Sequence, residues 1–169
     1  MAYETIELSS IGEKMKQNHP LYNVAEIEIH YRSSINPLDK VFLGQSDQVN
    51  ELLRETWDNN KITLLEQFKI LLMDVSGHCF GISDIATGGK NNCIVDPRII
   101  FSTALKSNAS NIILAHNHPS GNLTPSDADI MITNRLVEAG KLLEITVFDH
   151  LIITDKNYYS FADNGLIYK

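Results

Sequence analysis

The chain has 169 residues, 43% of them hydrophobic and 21% charged, with nine glycines and five prolines. This is the balance of a folded globular protein, and it excludes disordered, collagen-like and large multidomain classes. A formal charge of −7, from 14 basic and 21 acidic residues, gives a field that repels phosphate backbones and acidic membranes.

The first twenty residues are polar and uneven, close on His19-Pro20, and read as an arm. Acidic Glu4 and Glu7 stand where a secretory signal needs basic residues, and no apolar run approaches the roughly 18 residues of a membrane span. A cytoplasmic protein with no membrane partner is the expectation. From Val24 to Tyr31 the residues alternate apolar and polar, as in a half-exposed strand. Ser46 precedes a helix carrying Val49, Leu52, Leu53 and Trp57 on one stripe.

Phe68 to Met73 is an apolar strand, Ser76-Gly77 a turn, and Cys79 to Ile85 a second extended run, which together predict a hairpin. Gly88-Gly89 and Asn91-Asn92 mark a loop; without the Lys-Ser/Thr of a phosphate loop, the glycine pair is a tight turn and no nucleotide site is indicated. Asp96-Pro97 starts a helix that runs to about Lys106. Asn111 to Ala115 has the unbroken apolar character of a strand covered on both faces and leads into His116-Asn117-His118-Pro119-Ser120-Gly121. A further helix begins near Ser126 and stops near Gly140. Ile145 to Thr154 then supplies one long strand or two short ones broken at Asp149-His150. Interleaved strands and helices without a repeat or long linker imply one α/β or α+β layered structure, with residues 1–60 as an N-terminal arm, strand and amphipathic helix before the main domain, 61–169.

His116 and His118 are two residues apart in extended backbone, so both imidazoles project from the same side and can reach one point. The helix after the Pro-Ser-Gly turn brings Ser126 and Asp129 near, and Asp129 offers a third ligand. Two histidines and a carboxylate leave Zn²⁺ one open position, where water becomes acidic enough to give hydroxide at neutral pH. Glu66, ahead of the first hairpin strand, is the best placed acid to handle the water proton. Ser126 with Asp129 three residues on is also a helix-capping pattern, and both roles are compatible. His150 has two open readings, a group orienting the site or a hydrogen-bonded core histidine. His19, His30 and His78 lack partners at ligand spacing, and Cys79 and Cys93 fit no disulfide framework or thiolate cluster, so they are expected to be buried thiols.

His116-x-His118, seven residues, then Ser126-x-x-Asp129, with an acid before an upstream strand, resembles the JAMM motif of the Jab/MPN metallohydrolases. HNHPSGNLTPSDAD from His116 to Asp129, followed by FDHLIIT from Phe148 to Thr154, is similar to the RadC branch, traditionally named for DNA repair; the similarity spans about Leu64 to Ile167. The resemblance implies a mixed, curved sheet flanked by helices in a cytidine-deaminase-like arrangement. It further implies a zinc-dependent peptidase or isopeptidase site: His116, His118 and Asp129 on the metal, Glu66 as general acid/base and Ser126 stabilising the oxyanion. Asn117 stands where eukaryotic deubiquitinating members usually carry Ser or Thr, and follows the RadC branch. The helix-hairpin-helix module frequent in RadC proteins has no counterpart before Leu64. The competing function is a DNA-repair or mobile-element accessory protein with a structural or vestigial metal, a role that the net charge does not favour.

Overall fold

A computed structural model describes residues 36, 40–90 and 92–167, all within one compact unit. The expected arm, and the strand over 24–31, lie outside the described residues. The order of elements is β1 (Val41–Phe42), α1 (Ser46–Thr56), β2 (Gln67–Met73), β3 (His78–Thr87), α2 (Pro97–Lys106), β4 (Asn111–Asn117), α3 (Asp127–Leu142), β5 (Thr146–Ile153) and β6 (Tyr158–Ser160).

The six strands form one mixed sheet in the order β1-β3-β2-β4-β5-β6, in which only the β4–β5 pair is parallel. The parallel pair needs a crossover, which α3 provides. β2 and β4 lie at the centre and are buried throughout, which is why their sequences are almost continuously apolar. The fold is α+β, a mixed sheet covered by helices on both faces, as the sequence implied.

Strand alternation feeds two cores. Phe68, Ile70, Leu72, Ile112 and Leu114 meet Ile100 and Phe101 of α2 and Leu136 of α3 on one face. Leu71, Met73, Ile113 and Ala115 meet Val49 and Leu53 of α1, and Trp57 beyond it, on the other. On this second face the buried Lys69 lies under the Trp57 ring and pairs with Asp84.

The β2–β3 hairpin closes as expected: Asp74 Oδ1 accepts from the Ser76 and His78 amides, and Gly77 takes the left-handed φ of +83° that a side chain would resist. Asp96 caps α2 by accepting from the Arg98 amide.

Three local expectations change. The residue capping α1 is Gln45, whose amide donates to Gln48 Oε1, while Ser46 is already helical and its hydroxyl bonds Tyr158 and Asp163. α3 does not stop at Gly140 but continues to Leu142. Glycine is required there because a Cβ would collide with the carbonyl oxygen of Ile145 as the chain turns back toward β5. Cys93 is only half-buried, whereas Cys79 is buried as expected.

β5 is a single strand, not two. Its pairing with β4 skips Phe148, since Ile112 faces Val147 and Ile113 faces Asp149. This bulge changes which side of the sheet each later residue meets. Val147 points into the α2/α3 core before it, and Ile152 does so after it. His150 shares the parity of Ile152 and therefore lands on the same face as His116.

Candidate metal centre

β4 carries His116 into the α2/α3 face at its C-terminal end, and His118 follows one residue beyond the strand. The antiparallel register sets Phe68 of β2 opposite His116. Two pairs further along, just past the strand ends, the same register leads from Glu66 to His118, so Glu66 comes to the histidines from the end of the neighbouring strand. Asp129 arrives from the first turn of α3, where Ser126 is the cap: its Oγ accepts from the Asp129 amide, at 3.2 Å, and donates to Asp129 Oδ2, at 2.7 Å.

The structure thus brings His116, His118 and Asp129 together, with one ligand atom from each lying within 4.8 Å of the others. His116 Nε2 is 2.9 Å from His118 Nε2 and 3.2 Å from Asp129 Oδ1. Glu66 and Ser126 line the same cavity, of about 410 Å³, whose apolar wall includes Phe68, Val95 and Ile132.

Hydrogen bonding away from the centre fixes which imidazole nitrogens face it. The Thr133 hydroxyl donates to the Asp129 carbonyl at 2.6 Å, so its oxygen can only accept from His150 Nδ1, also at 2.6 Å. Burial, with the nearby His116, holds His150 well below the usual histidine range and hence neutral. Its Nε2 is therefore an acceptor, and His116 Nδ1, 2.8 Å away, must donate to it. That leaves Nε2 of His116 aimed at His118 and Asp129. His118 Nδ1 likewise donates to the Asn122 carbonyl at 2.6 Å and turns Nε2 inward.

Two imidazole lone pairs and a carboxylate at this separation repel one another unless a positive charge lies among them. A proton can serve: the hydrogen bond to Asp129 raises the His118 pKa, against burial and with help from the Asn122 carbonyl. Burial works against ionising Asp129, yet the imidazoles of His116 and His118 and the Ser126 hydroxyl outweigh it and keep the carboxyl ionised far below its usual range. A divalent cation satisfies the same three donors, and two nitrogens with one oxygen is a set suited to zinc. Glu66 shifts upward, chiefly by burial, although both histidines oppose it.

Sequence reasoning left His150 undecided; it proves fully buried and bonded to a candidate ligand at one nitrogen and to Thr133 at the other. Thr133 drew no attention, because a threonine within a helix carries no signal until its partner across the core is known. His78 sits half-exposed beside Asp74, away from the cavity.

A mixed sheet between helices, with a His-x-His strand end facing the first turn of the crossover helix, defines a domain of the JAB/MPN superfamily. Within it the chain belongs to the RadC-like JAB domain family, which matches residues 43–166. It is 49% identical over 144 residues to a UPF0758 protein of Syntrophomonas wolfei and 41% identical over 145 residues to one of Alkaliphilus metalliredigens; each alignment covers 85% of this chain and 61% of the relative. A UPF0758 protein of Flavobacterium johnsoniae is 43% identical over 101 residues, 60% of this chain and 44% of that one. The chain spans about three fifths of the length of the first two relatives. Among the described residues, no helix is long and apolar enough to cross a membrane.

Proposed function

We propose that this domain is a zinc-dependent hydrolase acting on a peptide or isopeptide amide bond, with His116, His118 and Asp129 holding the ion. The observation that carries the proposal is the convergence of three inward-facing donors with a carboxylate of raised pKa in one cavity. Zinc, when bound, supplies a Lewis acid that polarises a carbonyl and makes water acidic. Glu66 takes a proton from the attacking water and passes it to the departing amine, a task favoured by a carboxyl pKa nearer neutrality. The Ser126 hydroxyl, whose oxygen caps α3, turns its proton from Asp129 Oδ2 to the developing oxyanion. The cavity has the size of an ordinary small-ligand site, and its apolar wall accommodates a side chain flanking the bond.

The first test is metal content. Protein purified without chelator or a histidine-rich tag holds close to one zinc per chain, and His116→Ala and Asp129→Ala lose it. Glu66→Gln keeps the zinc but slows amide hydrolysis by roughly 10²- to 10⁴-fold. Parent and ligand variants equally empty after reconstitution would refute the metal site, and a zinc-loaded Glu66→Gln as fast as the parent would refute the proton shuttle.

A further inference from the structure

Strand alternation divides the His116-Asn117-His118 tripeptide between the two faces of the sheet: the imidazoles enter the cavity and the Asn117 side chain passes to the opposite side. There it is fully buried and uses both ends of its amide. Asn117 Nδ2 donates to the carbonyls of Ile62, at 2.7 Å, and Leu65, at 2.8 Å, while Oδ1 accepts the Gln67 amide at 2.7 Å. Two carbonyls and one N–H as partners leave only this orientation of the amide satisfied.

Leu65 and Gln67 bracket Glu66. The Glu66 backbone is held from another direction as well, its N–H donating to Gly89 O and its carbonyl accepting from Gly88 N, both at 2.8 Å. We propose that Asn117 is the positioning residue for Glu66, setting the carboxylate against the histidine pair through bonds made on the far face of the sheet. The proposal rests on the proton-shuttle role given to Glu66 above. Because Asn117 lies between His116 and His118 on one strand, a single residue references the acid to both ligands. The choice of residue follows from the partners. Aspartate has no donor for the two carbonyls, leucine has neither donor nor acceptor, and serine or threonine has one hydroxyl proton where two N–H groups are needed.

The test is a double-mutant cycle on the zinc-loaded protein, read by calorimetric binding of acetohydroxamate, whose hydroxyl proton a carboxylate beside the metal accepts. Asn117→Ala, Glu66→Gln and the double variant are compared with the parent, and Asn117→Ser, which keeps a buried hydroxyl, stands in if Asn117→Ala does not fold. Zinc stays at one per chain throughout, each single variant binds about tenfold more weakly, and the double variant binds no more weakly than Glu66→Gln. On an amide substrate Asn117→Ala lowers kcat and leaves KM in place. Losses that multiply in the double variant, loss of zinc from the Asn117 variants, or Asn117 variants that bind like the parent would each overturn the positioning role. Glu66→Gln binding as tightly as the parent marks a different failure, that of the proton shuttle, and removes this proposal with it.

Discussion

Thr133→Val tests the hydrogen-bond chain behind the metal centre with almost no change of side-chain volume. It deletes the bond from Thr133 to the Asp129 carbonyl and the acceptor of His150 Nδ1–H, in surroundings where Thr133 and His150 are 1% and 0% exposed. A buried N–H without a partner costs about 1–3 kcal/mol. The ion-free protein can avoid that cost by moving the His150 proton to Nε2. His116 must then accept at Nδ1 and carry its own proton on Nε2, the atom that faces His118 and Asp129. Binding zinc forces the original tautomers back and returns the orphan donor, so the cost falls on the metal. Zinc affinity, measured by competition with a chelator, therefore drops roughly 10- to 100-fold, while urea denaturation in EDTA shows a much smaller loss of stability. Unchanged zinc affinity with equal destabilisation of the loaded and ion-free forms would refute the tautomer chain and leave Thr133 an ordinary core residue.

Three further outcomes follow. Gly140→Ala is destabilising by urea denaturation despite a helix-propensity gain of about 1 kcal/mol, because the new Cβ displaces the Ile145 carbonyl. Leu136→Ala, at a fully buried position between α3 and the sheet, costs about 2–5 kcal/mol in the same assay with zinc content unchanged. The raised His118 pKa stabilises the ion-free fold fully below the unfolded value of about 6.5, and this contribution is lost as pH rises through the folded value. Zinc competes with that proton, so the gap in Tm between loaded and EDTA-treated protein widens from about pH 6 to about pH 8; a gap independent of pH would contradict the assignment.

The parts of the fold legible in the sequence are those whose signal and cause are both local. Phe68 to Met73 and Asn111 to Ala115 read as buried strands because burial on both faces leaves no polar alternation. The His116, His118 and Asp129 cluster was legible because two residues of strand and a capped helix start fix where those side chains go. Gly140 misled because the glycine that ends a helix and the glycine that admits a crossing carbonyl look identical in one dimension. Ser46 misled similarly, since Gln45 capped the helix through the less usual Gln48 side chain. His150 could not be decided without the skipped Phe148, and bulges leave no composition of their own. Asn117 stood out only by its residue type, and its bonding was not legible because its three partners lie 50 to 55 residues earlier in the chain.

The bulge at Phe148 also determines which kinds of genetic change the centre can absorb. Substituting Phe148 leaves the count of residues between Val147 and His150 intact. Inserting one residue beside it exchanges the two faces of the rest of β5, so that His150 leaves the cavity side, Asp149 takes its place opposite Leu114, and Ile152 and Ile153 trade cores, whereas deleting Phe148 removes the bulge and leaves His150 on its face. Variation along this strand is therefore expected to accumulate as replacements rather than insertions, and engineered loops or tags belong outside 147–153, where a change in residue count does not alter parity.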